Sequence, residues 1–328
     1  MTNWNAESVL GLARAFMESR LLLTAAELDV FTALASPKTL EEVVDALGSD
    51  QRGTEILLDA LSAIGLLEKQ DDTYSCPEAL LPALSSESPE TVLPMILHTG
   101  SVWQRWSDLT DIVRSGKKVS TPAGLFEGDH LKAFIYAMHV VGRHAADDIA
   151  VRAKADASKA LLDVGGATGT YAEAFLRHYP EMRATVFDRA PVIKMAKDRL
   201  ADSPVKERIT LAAGDFYTDP LPGGHDLVLL SAIIHQNSPE QNIALYKKCF
   251  DALVPGGRIL VRDHVLSPDR IQPVGGAVFA VNMLAATEGG NCYTLAEIRT
   301  ALHIAGFERV ALLQESERMD GMVEAFKP

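Results

Sequence analysis

The chain has 328 residues, of which 47% are hydrophobic and 23% charged, which is enough apolar material for large globular cores. At roughly 100–200 residues per domain, this length favours two domains. The 44 acidic residues outnumber the 31 basic ones and give a formal net charge of −13, so the chain lacks the positive field that nucleic acid or an anionic membrane surface requires.

The first third of the chain is predicted to be helical. Apolar residues recur at spacings of three and four between Leu10 and Leu28, which places them on one helix face. Thr39, followed three residues later by Glu42, predicts a capping box at the start of a short helix. A second helix is expected from Arg52 to Ile64, and two short strands around an acidic turn at residues 65–75. This order of helix, turn, helix and hairpin is typical of a winged-helix domain.

A winged helix suggests a DNA-binding regulator, but the charges argue against that interpretation. Residues 1–120 carry eighteen Asp and Glu against nine Lys and Arg. The second helix carries Glu55 and Asp59 and only Arg52 at its edge, whereas helices that enter a DNA groove present basic or amide side chains. We therefore favour a helical packing and dimerisation module.

Helical periodicity continues from about residue 90 to 155 and stops around residues 154–158. We place the domain boundary there, with a helical, winged-helix-like domain at 1–155 and a second domain at 156–328. Beyond the boundary, short apolar strands alternate with helices, which indicates a doubly wound, Rossmann-like α/β sheet. A hairpin at the end of the chain is expected to add one antiparallel strand to this sheet.

Three widely spaced cysteines, Cys76, Cys249 and Cys292, form no CxxC pair and predict neither a disulfide framework nor a metal site. The first sixteen residues lack the unbroken apolar stretch of a signal peptide. No segment approaches the roughly 18 apolar residues that span a bilayer. We expect a cytoplasmic protein that binds no metal, no membrane and no nucleic acid.

A glycine turn follows the first strand of the second domain. Gly165, Gly166 and Gly169 let the backbone turn tightly and approach a ligand in front of a helix N-terminus. Such a turn can serve a dinucleotide or S-adenosylmethionine, or simply allow close packing of strand and helix.

Acidic residues at three successive strand ends narrow these choices. Asp188, nineteen residues past Gly169, is placed to accept hydrogen bonds from ribose hydroxyls. Asp163, at the mouth of the glycine turn, would repel a pyrophosphate but suits a ligand that carries an ammonium and a sulfonium. Asp215 ends the following strand, where an adenine amino group is expected, and Phe216 can lie against the ring.

These motifs, in this order, resemble those of the plant-type small-molecule O-methyltransferases, a family that includes caffeate and acetylserotonin methyltransferases and bacterial enzymes acting on polyketides and pigments. The resemblance covers nearly the whole chain and rests on five segments: Asp163–Gly169, Phe187–Asp188, Gly214–Phe216, Ser231–His235 and Leu253–Arg258.

The resemblance implies an S-adenosylmethionine-dependent methyltransferase that forms a homodimer through its N-terminal domain and needs no metal. It places His235 at the position of the general base and Asp263 at that of an acid which orients it. The residues it assigns to the cofactor are Asp163, Gly165, Gly166, Asp188, Arg189, Asp215, Phe216 and Ser231. The residues it assigns to the acceptor pocket are Met138, His139, Phe279, Asn282, Met283, Glu288 and Cys292.

The sequence also departs from the family pattern. Gln236 and Asn237 follow the base where Asp and Trp are usual, and Ser231 stands where Lys is frequent. The second orienting acid is replaced by Cys292, and Glu288, four residues earlier, is a candidate substitute. The resemblance makes methyl transfer to a hydroxyl of a small aromatic acceptor the main hypothesis. The altered loop and Cys292 leave transfer to N, S or C open, and cofactor binding without catalysis is a further alternative.

Overall fold

The structure is a computed structural model that describes residues 4–118 and 128–328, apart from the side chains of residues 129 and 130. It contains two compact units, residues 1–103 and 104–328. The helical segment expected from residue 90 to 155 includes residues 119–127, which lie outside the described residues. Within the described ranges, no helix is both long and apolar enough to cross a membrane.

The first unit is mainly helical, with a small three-stranded sheet in the order β1-β3-β2. Its elements are α1 (Ala6–Arg14), α2 (Phe16–Glu27), α3 (Val30–Ala33), β1 (Lys38–Thr39), α4 (Leu40–Leu47), α5 (Gln51–Ala63), β2 (Glu68–Gln70), β3 (Thr73–Ser75), α6 (Leu81–Leu84) and the first part of α7 (Leu93–Ser107). The predicted capping box is present, with Thr39 and Glu42 bonded reciprocally at the start of α4. Phe31, Leu58 and Leu61 are fully buried in the core of this unit.

The second unit has helices on both faces of a seven-stranded sheet. After α8 (Leu109–Ser115) and α9 (Gly128–Arg152), its elements are β4 (Ala160–Val164), α10 (Thr170–His178), β5 (Arg183–Asp188), α11 (Ala190–Arg199), β6 (Ile209–Ala213), β7 (His225–Ser231), α12 (Pro239–Ala252), β8 (Leu253–Asp263), β9 (Val265–Leu266), α13 (Val274–Ala286), β10 (Tyr293–Thr294), α14 (Leu295–Ile304), β11 (Glu308–Gln314) and β12 (Gly321–Phe326).

The strand order of the large sheet is β11-β12-β8-β7-β4-β5-β6. Strands β4 to β8 run parallel, and β12 pairs antiparallel with β8, which confirms the predicted doubly wound sheet with one antiparallel strand. Successive strands leave β4 in both directions, towards β5 and towards β7. Ligands bind at such a switch point, outside the carboxyl ends of the strands.

The division between the units falls earlier than the boundary predicted after residue 155. Helix α9 belongs to the second unit because its apolar side packs with α10 and the sheet: Ile149 and Ala153 are buried in one cluster with Leu161 and Phe175. The end of helical periodicity in the sequence marks where the strands begin, whereas the units are divided by side-chain packing that periodicity does not record.

Candidate active site

The glycine turn between β4 and α10 brings bare backbone to the carboxyl edge of the sheet. Gly165 has a φ of +68°, and a Cβ there would lie 2.5 Å from the Cδ1 atom of Ile233. At Gly166 a Cβ would lie 2.8 Å from Oδ2 of Asp163. The Gly165 N–H donates to the carbonyl of Phe187 at 2.8 Å, which ties the turn to β5. Both glycines are therefore required by the backbone conformation or by the space available.

Asp163, in β4 below the glycine turn, is a buried carboxylate that is only partly satisfied. It is 1% exposed, and its Oδ2 atom has no hydrogen-bond partner among the described residues. Burial raises the pKa of Asp163 to about 7 against the opposing effect of the Ala172 backbone N–H, and the nearby charge of Asp188 raises it further. A cationic ligand at this edge would stabilise the ionised form.

Asp188 ends β5 beside the same turn. Its Oδ2 accepts the Ala167 N–H at 2.9 Å and its Oδ1 the Arg189 N–H at 2.7 Å, so the carboxylate is fixed in orientation. Burial raises the pKa of Asp188, and these two N–H groups oppose the shift. The Arg189 backbone supplies one of them, while its side chain is exposed.

Asp215, Phe216 and Ser231 complete the predicted cofactor set at the neighbouring strand ends. Asp215 follows β6 and accepts the Tyr217 N–H at 2.8 Å. The Phe216 ring packs on the sheet core, and its Cε1 atom lies 3.5 Å from a Cβ built at Gly165. Ser231 ends β7 and accepts a hydrogen bond from the Arg262 guanidinium at 3.2 Å.

His235 lies in a short helical turn after β7, opposite the end of β8. Its Nδ1 atom is 2.9 Å from each carboxylate oxygen of Asp263, which is 1% exposed. Burial alone would raise the pKa of Asp263, but the charge and hydrogen bond of His235, together with the His264 backbone N–H, outweigh burial and lower it. Asp263 is therefore an anion that accepts a hydrogen bond from Nδ1 of His235, and in the neutral imidazole this arrangement leaves the Nε2 lone pair free.

Backbone clamps that the sequence did not reveal hold the His235 turn. Asn242 on α12 donates to the Ile234 carbonyl at 2.9 Å, and the Tyr293 hydroxyl donates to the Asn237 carbonyl. The Asn291 N–H donates to the carbonyl of His235 itself at 2.9 Å. The only signal in the sequence is a pair of Asn residues on either side of a helix cap, and amide pairs of this kind are common in turns.

Helix α13 supplies an aromatic and apolar surface beside the base. The Phe279 ring meets the His235 ring edge-on, with centroids 4.9 Å apart, and lies 5.1 Å from the His264 ring. Asn282 accepts a hydrogen bond from the Trp106 indole at 3.1 Å, a partner that the sequence did not indicate. Met283 is buried one position further along the helix.

The four other predicted pocket residues lie in different environments. His139 on α9 bonds Thr170 in the first turn of α10 at 2.8 Å, and burial, then Arg199, lowers its pKa to about 4. Met138 is half-buried beside it in sequence. Glu288 is 87% exposed and pairs with Lys118 at 3.6 Å. Cys292 is fully buried, and burial followed by the charge of Asp263 raises its thiol pKa to about 12.

Comparison with known proteins identifies two domains in the chain. Residues 106–308 match the O-methyltransferase domain family, and residues 10–79 match the O-methyltransferase dimerisation domain. The first match covers more than half of the chain and begins close to the start of the second compact unit.

Individual relatives agree with the family match. The chain is 34% identical to the tetracenomycin polyketide synthesis 8-O-methyl transferase of Streptomyces glaucescens, over 92% of this chain and 91% of that protein. It is 32% identical to the 3-hydroxy-5-methyl-1-naphthoate 3-O-methyltransferase of Streptomyces sahachiroi, over 96% of this chain and 94% of that protein.

Among solved structures, human N-acetylserotonin methyltransferase in complex with S-adenosylmethionine aligns with a TM-score of 0.87 and 26% identity, over 100% of this chain and 99% of that one. The glycine turn, the acids at the strand ends and the His235–Asp263 pair lie within residues 106–308, which match the O-methyltransferase domain family. The chain therefore belongs to the O-methyltransferase family and is an S-adenosylmethionine-dependent O-methyltransferase.

Proposed function

We propose that this enzyme methylates a hydroxyl group of a small aromatic acceptor, with His235 as general base and Asp263 as the residue that orients it. The observation that carries the proposal is the pairing of His235 Nδ1 with the buried Asp263 carboxylate at 2.9 Å, at the same sheet edge as the glycine turn.

The residues around the glycine turn fit S-adenosylmethionine. The unpartnered Oδ2 of Asp163 suits a ligand ammonium, and Asp188 keeps free lone pairs for ribose hydroxyls. Gly165 and Gly166 have no space for a Cβ, so the turn keeps bare backbone at this edge, and Phe216 offers an apolar ring beside Asp215. Arg189 and Ser231 lie at the rim of this edge. When bound, S-adenosylmethionine supplies a methyl carbon that its sulfonium activates for displacement.

The protein's remaining task is to remove a proton and to hold the acceptor in line. A phenol has a pKa near ~10 and stays protonated at neutral pH, and an imidazole near ~6.5 is a suitable acceptor at hydrogen-bond distance. Asp263 keeps the Nδ1 proton on His235, so that Nε2 is the atom that accepts the acceptor's O–H proton. Alignment of the two reacting groups adds to this by making the step effectively unimolecular.

The side chains next to His235 favour a flat apolar acceptor. Phe279 lies against the base, and Asn282 and Met283 follow on the same helix. We place the acceptor ring along this helix, with Met138 and His139 as further walls, because aromatic and Met side chains suit aromatic ligands. The two Streptomyces relatives, whose names give a naphthoate and a polyketide as their substrates, support an acceptor of this class.

Asp263 acts as the sole orienting acid in this proposal. Glu288 is exposed and paired with Lys118, so in this proposal its carboxylate interacts with Lys118 and solvent and does not orient the base. The Cys292 thiol, with its raised pKa, stays neutral beside Asp263 and contributes packing.

We also propose that the enzyme is a homodimer through its N-terminal unit. Helix α1 buries none of its residues, and Leu10, Leu12, Phe16 and Met17 are among the exposed large apolar side chains of α1 and α2. Exposed apolar surface of this kind marks interaction sites, and the dimerisation-domain match covers it.

Two measurements on the wild-type enzyme test this function. Calorimetry with S-adenosylhomocysteine should show one saturable site per chain. Methyl transfer from labelled S-adenosylmethionine should occur to a hydroxynaphthoate and be absent with the matched naphthoate that lacks the hydroxyl. Binding without transfer to any phenol of a panel would support a noncatalytic cofactor-binding protein, and no binding by folded protein would contradict the whole proposal.

A further inference from the structure

A chain of three hydrogen bonds connects the loop after β6 with the turn that carries His235. The Tyr217 hydroxyl lies 2.6 Å from Oδ1 of Asn237. Nδ2 of Asn237 lies 3.0 Å from Oδ1 of Asn242, and Nδ2 of Asn242 lies 2.9 Å from the carbonyl oxygen of Ile234. Asn237 is fully buried and Asn242 is 3% exposed, so the bonds from Asn237 to Asn242 and from Asn242 to Ile234 are shielded from water.

The direction of every bond in this chain is determined by its last member. The Ile234 carbonyl can only accept, so Asn242 must present its NH2 group there and its oxygen to Asn237. Asn237 must then present its NH2 group to Asn242, which turns its own oxygen towards Tyr217. The Tyr217 O–H is therefore the donor that completes the chain. Hydrogen bonds aligned in one direction polarise and strengthen one another.

Of the three side chains joined by these hydrogen bonds, only Tyr217 lies in the loop proposed to contact adenine. It follows Asp215 and Phe216, and its ring lies 4.6 Å, centroid to centroid, from the Phe216 ring. Tyr217 is 47% exposed, whereas Asn237 and Asn242 are buried. The loop is held to α12 by Lys248, which donates to the carbonyls of Phe216, Tyr217 and Asp219.

The other end of the chain is bonded to the backbone of the base. Ile234 immediately precedes His235, and Asn237 follows it by two residues, so the two amides hold both sides of one turn. A shift of Tyr217 would leave the Asn237 oxygen buried without its donor, which is unfavourable.

We propose that Tyr217, Asn237 and Asn242 form a relay that couples occupation of the adenine side of the cofactor site to the position of His235. Tyr217 is a positioning residue in this proposal: a ligand that orders the Phe216–Tyr217 loop also orders the turn of the base. The relay rests on the proposed function, because it assigns adenine to Phe216 and proton removal to His235.

Kinetics of three variants test the relay. Tyr217→Phe removes only the hydroxyl. Asn237→Leu removes the amide oxygen and the NH2 group of Asn237 at similar side-chain volume. Each should lower kcat by about 3- to 10-fold, the usual effect of one buried hydrogen bond, and leave the acceptor KM unchanged. The kcat of the double variant should lie no more than about twofold below that of the less active single variant, because both changes break the same series of hydrogen bonds.

Tyr74→Phe is the matched control. It removes a phenolic hydrogen bond of 2.8 Å to Asp59 in the first unit, and it should leave kcat unchanged. If Asn237→Leu does not fold, Tyr217→Phe and its control are sufficient for the kinetic comparison, because Tyr217 is half-exposed.

Hydrogen–deuterium exchange supplies a readout without turnover. The Gln236 and Asn237 amides bond within the His235 turn, so their exchange reports its order. S-adenosylhomocysteine should slow exchange of the peptide spanning residues 232–238 several-fold in the wild type and in Tyr74→Phe, and much less in Tyr217→Phe. Equal slowing in Tyr217→Phe and the wild type, or wild-type kcat in Tyr217→Phe, would overturn the relay. Absence of ligand binding by the wild type would instead contradict the proposed function itself.

Discussion

The cofactor edge and the acceptor side of the second unit are built differently. At the cofactor edge, the functional groups are backbone atoms of the glycine turn and short side chains at or just after the carboxyl ends of β4, β5 and β6. On the acceptor side, Phe279 and Met283 lie on a helix, and His235 depends on Asp263, 28 residues later in the chain. The first arrangement is set by local chain geometry, and the second by packing between distant segments. Mutations should therefore separate binding of the cofactor from turnover of the acceptor.

Apart from replacement of the base itself, the largest of the variant effects on the acceptor side is expected for Asp263→Asn. An amide can donate to Nδ1 and move the imidazole proton to Nε2, which removes the proton-accepting atom. We expect kcat to fall by about 10²-fold or more with little change in S-adenosylhomocysteine affinity, as measured by steady-state kinetics and calorimetry. Asp251→Asn, at an exposed acid on α12, is the control and should retain full activity. Retained activity in Asp263→Asn would remove the orienting acid from the mechanism.

Gly165→Ala should produce the complementary result at the cofactor edge. Its Cβ would meet Ile233 at 2.5 Å, in a backbone conformation with φ of +68°. We expect the dissociation constant for S-adenosylhomocysteine to rise by about five- to 150-fold, since a displaced turn costs on the order of 1–3 kcal/mol. Gly256→Ala shares a positive φ of +79° but meets nothing within 4 Å, so it isolates the backbone strain. Equal affinities in the two variants would show that the close approach at Gly165 does not matter.

Asp163→Asn should change the pH dependence of the cofactor edge. The pKa of Asp163 in the folded protein, about 7, lies above its unfolded value, so the stability that the protonated form contributes is present below about pH 4 and is lost as pH rises through 7. The ligand-free wild type should lose thermal stability over that range, and Asp163→Asn should lose less.

Cofactor affinity should respond in the opposite sense. S-adenosylhomocysteine should bind the wild type up to about tenfold more tightly at pH 8 than at pH 6, because ionised Asp163 pairs with the ligand ammonium. Calorimetry at the two pH values should show little change in Asp163→Asn. The same pH dependence in both proteins would mean that another group is responsible.

The smallest effect is expected for Cys292→Ala. The thiol is neutral throughout the physiological range because its pKa is raised to about 12, so it contributes no charge to His235 or Asp263. We expect kcat to change by less than about threefold, with a loss of stability from the small cavity of ~1 kcal/mol. Cys76→Ala, at a buried thiol of the first unit, should show a similar loss of stability. A much larger drop in kcat would give Cys292 a part in catalysis.

The contrast between local chain geometry and long-range packing also explains which features could be predicted from the sequence. The capping box of α4, the strand and helix order of the second unit and the antiparallel strand β12 were predicted correctly, because periodicity and turn chemistry are local. The positions of Asp163, Asp188 and Asp215 at one edge followed from the parallel sheet. The hydrogen bonds from Trp106 to Asn282 and from Tyr217 to Asn237 join residues 176 and 20 positions apart, and no local pattern encodes them.

In the mechanism that we propose, His235 removes the acceptor proton. The most direct test of this step is the methyl-transfer rate of His235→Gln beside His303→Gln, an exposed histidine on α14, at saturating S-adenosylmethionine and hydroxynaphthoate. We predict a fall in kcat of about 10²- to 10⁴-fold for His235→Gln, unchanged affinity for S-adenosylhomocysteine and wild-type kinetics for the control. A His235→Gln enzyme that binds the cofactor analogue and turns over at the wild-type rate would show that His235 is not the general base.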